Sequence, residues 1–119
     1  QVAPDNATIL STRYLKSWDC AITNLGGRKV RLSGSTDAYT SVDIIRVGLY
    51  LQVWDSSTQK WKDVRFVKGF ESHNRYYTSG SATQTVSSKN YYRTRSVHYV
   101  KKGNIAETVS LVSGYIYIK

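Results

Sequence analysis

The stretch DIIRVGLYLQVW, residues 43–54, decides the fold because its apolar side chains recur at every second position. An extended chain places alternate side chains on opposite faces. One face then carries Ile45, Val47, Leu49, Leu51 and Val53, and the other carries Arg46, Gly48, Tyr50, Gln52 and Trp54. No helical period competes with this alternation. The stretch therefore predicts a central β-strand with one buried face.

Strand and turn patterns continue outward from this strand in both directions. Before it, alternating residues predict strands at 16–24 and 28–36, joined by a turn at Gly26 and Gly27. After it come a turn at 55–59 and strands at 60–69, 82–89, 90–102 and 105–119, the last bent or divided at Gly114. Residues 69–81 are polar and predicted mainly as turns, with a short strand at 75–78. No segment shows a capped amphipathic helix.

This pattern predicts an all-β fold. Short strands with regular turns are typical of an antiparallel β-sandwich of about seven to nine strands, with immunoglobulin/fibronectin-like architecture, and a small barrel is the alternative. The 119 residues fit a single core. We expect residues 1–13 to form a flexible N-terminal segment and residues 14–119 to form a single β-sandwich domain.

The net charge of the chain indicates an anionic partner, and its first residue and hydropathy indicate export from the cell. The chain has 17 Lys and Arg against 8 Asp and Glu, a net charge of +9, which attracts anionic partners without specifying one. No apolar run is long enough to span a membrane, and the chain starts at Gln1 without Met. These features predict a secreted protein whose signal peptide has been removed.

Cys20 is the one cysteine, so the chain forms no internal disulfide. We expect a free, buried thiol, because free cysteine is among the most buried residue types. An intermolecular disulfide and the oligomeric state stay open.

Four stretches resemble a known family: ITNLGGRKVRLSGSTDAY (22–39), VGLYLQVWDSSTQKW (47–61), YYRTRSVHYVKKGNIAET (91–108) and SGYIYI (113–118). They are similar to small secreted proteins of unknown function from Gram-positive bacteria, bacilli and clostridia especially. The resemblance covers most of the domain. It implies an exported one-domain sandwich, and it implies no activity and no site residue.

No motif indicates catalysis or a cofactor. The two histidines, His73 and His98, lack metal-ligand spacing, and the chain has neither a G-x-S-x-G turn nor a glycine-rich phosphate loop. His98 shares its strand face with Thr94 and Ser96, so we expect a hydrogen-bonded interior histidine. The sequence therefore predicts a protein without enzymatic activity, cofactor or metal.

The stretch YYRTRSVHYV, residues 91–100, predicts a binding surface instead. Its alternation places two arginines on one face, and because two arginines are costly to bury, that face should point outward. If strand 43–54 lies alongside, its outward residues extend the same surface. The predicted ligand-binding residues are Arg46, Tyr50, Trp54, Tyr91, Arg93, Arg95 and Tyr99.

Aromatic rings stack on sugars and bases, and arginine binds phosphate and carboxylate. We therefore expect a non-catalytic protein that binds an anionic polymer or glycan of a cell wall or cell surface. Export and the lack of an aromatic RNA-binding motif disfavour nucleic acid. The alternatives are tyrosine–arginine pairs with a structural role only, an antagonistic protein acting on membranes or inhibiting another protein, and a matrix protein assembling through sheet edges.

Overall fold

The computed structural model describes residues 12–119 and shows six antiparallel strands without a helix in that range. The strands are β1 Leu15–Gly26, β2 Lys29–Asp55, β3 Lys60–Thr85, β4 Asn90–Lys102, β5 Ile105–Val112 and β6 Ile116–Ile118. They form one sheet in the order β1-β2-β4-β5, in which β3 also pairs with β2 and β6 with β4. The all-β, antiparallel prediction is confirmed. Most of the predicted flexible segment 1–13 lies outside the described residues.

The six strands replace the predicted seven to nine because two of them are very long. β2 joins the predicted strands 28–36 and 43–54, and β3 joins 60–69, the intervening residues 69–81 and the first half of 82–89. The prediction of turns at 69–81 was wrong. These polar residues stay extended because β2 supplies backbone pairing partners along nearly the whole segment, which outweighs their weak strand preference. Two separate sheets of short strands are therefore not confirmed.

A bend in β2 curls this single sheet. The pairing with β3 shifts between Asp37 and Val42, where residues 38–41 of β2 stand opposite Tyr76 alone. Extra residues on one strand bend it and increase its twist. On the other side of β2, β1 pairs with the part before the bend and β4 with the part after it. The two halves of β2 can thus face each other across the core.

The core fills the space inside the curl. One cluster consists of Val30, Leu32, Val47, Leu49, Leu51, Val86, Tyr92 and Ile118, and a second consists of Leu15, Ala38, Val42, Ile45, Val100 and Val109. The predicted inward face of 43–54 is confirmed, with Val53 partly buried. The two halves of β2 approach each other closely at Gly34, where an added Cβ would lie 2.9 Å from Leu49 Cδ2 and from Val47 Cγ2.

A chain of hydrogen bonds around His98 crosses the core, as expected for an interior histidine. Its Nδ1 lies 2.7 Å from Thr36 Oγ1, and its Nε2 lies 2.7 Å from Ser96 Oγ. Thr36 Oγ1 donates its proton to the Arg46 carbonyl (2.9 Å), so it accepts from His98 Nδ1–H, and Ser96 then donates to Nε2. Burial lowers the pKa of His98 to about 4, which keeps the ring neutral. These hydrogen bonds connect both halves of β2 to β4.

Cys20 lies beside Ser96 as a free thiol, but it is only partly buried and not fully buried as predicted. Burial raises the pKa of the thiol. A raised pKa disfavours the reactive thiolate.

Glu107 of β5 fastens the start of β1. Its carboxylate accepts the backbone N–H groups of Arg13 (2.7 Å), Tyr14 (3.0 Å) and Leu15 (2.8 Å). Burial raises the pKa of this carboxyl, but the three backbone donors together lower it by a larger amount. The pKa therefore lies below its usual range.

Candidate aromatic and basic binding surface

The predicted surface is assembled by the pairing of β4 with β2. Arg46 stands opposite Tyr99, Tyr50 opposite Arg95, and Gln52 opposite Arg93. The other face of β4 is buried, as shown by Tyr92, Thr94, Ser96, His98 and Val100. The predicted outward face of residues 91–99 is therefore confirmed. The role of its residues in binding stays a prediction.

At one end of this surface, Arg46 is held by an aromatic ring and a carboxylate. Its guanidinium carbon lies 4.8 Å from the centre of the Tyr99 ring, and its Nε forms an ion pair with Glu71. Glu71 also bonds His73 Nε2 at 2.6 Å. The hydrogen bond from Arg46, followed by that from His73, lowers the pKa of Glu71.

In the middle, Asp63 organises a fixed group of polar side chains. Its carboxylate bonds Arg95 Nη2 at 3.0 Å and Gln52 Nε2 at 2.8 Å, and Gln52 Oε1 accepts Arg93 Nε at 2.7 Å. Arg95 also lies over the ring of Tyr50, 4.0 Å from its centre. The hydrogen bond from Arg95 is the main cause that lowers the pKa of Asp63. Arg46 and Arg95 therefore both have a carboxylate partner.

At the other end, aromatic side chains from separate parts of the chain line a hollow of about 300 Å³. We call it the aromatic hollow; its lining is Trp54, Trp61, Tyr91 and Tyr115. Ring centres lie 5.5 Å apart for Trp54 and Trp61, 5.9 Å for Trp61 and Tyr115, and 5.5 Å for Tyr91 and Tyr115. The guanidinium carbon of Arg93 lies 4.4 Å from the centre of the Trp61 ring.

The sequence prediction covered the hollow in part. Trp54 and Tyr91 line it and Arg93 adjoins it, whereas Arg46, Tyr50, Arg95 and Tyr99 lie farther along the sheet. Trp61 and Tyr115 were missed. Trp61 was recognisable as the residue opposite Trp54 across the turn at 55–59. Tyr115 was not, because its place depends on the irregular backbone between β5 and β6.

Aromatic side chains supply the lining of the hollow. The aromatic hollow is lined by rings alone, without a carboxylate, histidine or thiol among its lining residues. Within residues 12–119, no three His, Cys, Asp or Glu side chains come together as a candidate metal site. In the same range, no helix is long and apolar enough to cross a membrane.

Comparison with known proteins gives a family and no activity. The model of a family described as "Family of unknown function (DUF6147)" matches residues 5–113, nearly the whole chain. No curated protein and no solved structure matches the chain.

Proposed function

Because the chain belongs to the DUF6147 family of unknown function, its own surface has to indicate its role, and we propose that it is a non-catalytic glycan-binding protein. The ligand stacks on the rings of the aromatic hollow, and Arg93 contacts a polar or anionic substituent beside them. The family match agrees with the predicted membership of an uncharacterised family. Origin in a Gram-positive bacterium and export to its surface belong to the proposal.

The observation that carries the proposal is the convergence of four aromatic side chains on one open hollow. Tyr115 is 65% exposed and Tyr91 is 43% exposed, although both are large aromatic residues. Single exposed rings such as Tyr76 are common on protein surfaces, but four rings that converge on one hollow form a contiguous aromatic patch, and such patches mark binding sites. Rings held against one another form a rigid platform, so little side-chain entropy is lost when a flat apolar ligand face binds.

The charges of the surface favour stacking over long-range attraction. Arg46 and Arg95 form ion pairs with Glu71 and Asp63, so their charges are largely offset within the protein. A ligand that competed for them would first have to replace these carboxylates. We therefore expect affinity to come mainly from ring contacts, and to fall by less than about tenfold over a salt series that screens exposed charges.

Binding to isolated Gram-positive cell walls, before and after removal of teichoic acid, tests the proposal. The wild-type protein should sediment with both preparations. Tyr115→Ala, which removes the most exposed ring of the hollow, should weaken binding by about tenfold, as expected for the loss of one stacking contact of 1–3 kcal/mol.

Tyr76→Ala is the matched control. Tyr76 is 63% exposed, close to the 65% of Tyr115, and it does not line the hollow. Its substitution should leave wall binding unchanged. Equal losses in the two variants would contradict a site in the hollow, and loss of all binding on removal of teichoic acid would assign the ligand to the polyanion instead.

A further inference from the structure

One edge of the long strand β3 is open. β3 pairs with β2 along most of its length, and within residues 12–119 no other strand pairs with it. An unpaired edge presents backbone N–H and C=O groups that can pair with a further strand. The two halves of this edge differ in whether such pairing is obstructed.

The first half of the edge is obstructed twice. Shifts in the pairing with β2 leave Val64 and Val67 as extra residues, and such bulges twist an edge away from a partner. This half also carries several cations that discourage pairing: Lys60, Lys62, Arg65 and Lys68.

The second half, residues 77–85, has neither obstruction. It pairs with residues 29–37 of β2 without a shift, and no charged residue occurs between Arg75 and Lys89. Flat, uncharged edges of this kind are the ones that associate with other strands.

The backbone groups that point outward can be assigned. The N–H of Val86 donates to the carbonyl of Arg28 at 2.9 Å, which makes these residues a hydrogen-bonded pair. Antiparallel pairs alternate, so the even-numbered residues from 78 to 84 bond to β2 and the odd-numbered residues 77–85 point outward.

Side chains already occupy the far end of this edge. Gln84 Nε2 donates to the Thr83 carbonyl (2.9 Å), and Arg65 Nη2 donates to the Thr85 carbonyl (3.5 Å). Pairing is therefore least hindered at residues 77–81, which we call the open edge.

We infer that the open edge pairs antiparallel with the open edge of a second copy of this chain, about a two-fold axis near Ser79. With that axis, Tyr77 lies opposite Ser81 of the other copy, so outward backbone groups meet outward backbone groups. Arg75 then lies opposite uncharged Thr83. Although the net charge of the chain is +9, this register places no like charges opposite each other within the pairing segment. The small side chains of the edge bury little area, so the dimer is weak.

Sedimentation equilibrium from about 10 μM to about 1 mM tests the inference, because dissociation constants in this range correspond to weak binding of about 4–7 kcal/mol. The wild-type mass should rise from 13.5 kDa toward twice that value. Ser81→Pro removes an outward N–H, which edge strands tolerate, and Ser79→Lys places two lysines directly opposite each other at the axis. Both variants should stay monomeric over the whole range.

Ser35→Lys is the matched control. Ser35 stands opposite Ser79 on β2, so its lysine adds the same charge to the same face, one strand away from the edge. This variant should dimerise like the wild type. If Ser81→Pro does not fold, Ser79→Lys decides.

A wild-type protein that stays monomeric up to about 1 mM would overturn the inference, as would a Ser79→Lys variant that dimerises as readily as the wild type. Neither Ser79 nor Ser81 lines the aromatic hollow, so wall binding should be the same in all these variants. The outcome is therefore independent of the proposed glycan binding.

Discussion

Acidification should weaken the fold through His98, which is fully buried and has a pKa of about 4. In the unfolded chain a histidine has a pKa near 6.5. Below that pH the unfolded state binds a proton that the folded state does not, so the free energy of unfolding falls as the pH falls. The loss begins near pH 6.5 and is complete near pH 4, below which both states are protonated.

The size of the effect follows from this difference in pKa. At 1.36 kcal/mol per pKa unit, the difference between 6.5 and about 4 corresponds to about 3 kcal/mol over the whole window. Between pH 7 and pH 5 the loss should be about 2 kcal/mol. With a urea dependence of about 2 kcal/mol/M, the midpoint of unfolding should fall by about 1 M.

Urea unfolding followed by tryptophan fluorescence at pH 7, 6 and 5 measures this shift. The carboxylates with lowered pKa values, such as Glu107, lose their stabilising effect only below about pH 4.5, outside this range. His98→Gln should reduce stability at pH 7 but abolish most of the dependence on pH. His73→Gln, which changes the exposed histidine, should keep it. An unchanged midpoint between pH 7 and 5, or an equal shift in His98→Gln, would refute the reasoning.

Three further substitutions test the fold and the binding surface. Gly34→Ala should lower the free energy of unfolding in urea titration by about 1–3 kcal/mol, because the new Cβ collides with the opposite half of β2. The control Gly114→Ala, whose Cβ would have no atom within 4 Å, should change this free energy by less than about 0.5 kcal/mol. Glu107→Gln should lower the melting temperature at pH 7, because three backbone donors lose their charged acceptor, and the difference from wild type should shrink as the pH falls from about 4.5 through the lowered pKa of Glu107. Asp63→Asn should strengthen binding to a polyanion such as heparin, because it releases the charge of Arg95 from its ion pair. The loss of wall binding caused by Tyr115→Ala should be the same with or without Asp63→Asn. Unchanged heparin binding in Asp63→Asn would show that the Arg95 charge does not contribute.

The extent of the sequence prediction can be followed along β4. Its alternation gave the strand, its outward arginines and its buried histidine, because burying a charge is costly wherever the strand is placed. The same reasoning failed at residues 69–81, where no side-chain pattern marks a strand. There the extended form depends on β2 alongside, a partner distant in sequence.

The sequence by itself determined the strand class, the inward face of residues 43–54 and the basic, aromatic character of the outer surface, since these follow from local periodicity and composition. The tertiary structure alone decided that two long strands bend into one curled sheet, that Trp61 and Tyr115 join Trp54 and Tyr91, and that Asp63 and Glu71 offset two of the arginines. These features depend on pairing between strands and on a bend at residues 38–41. A one-dimensional pattern does not fix them, because it sets which side chains share a face and not which strands lie side by side.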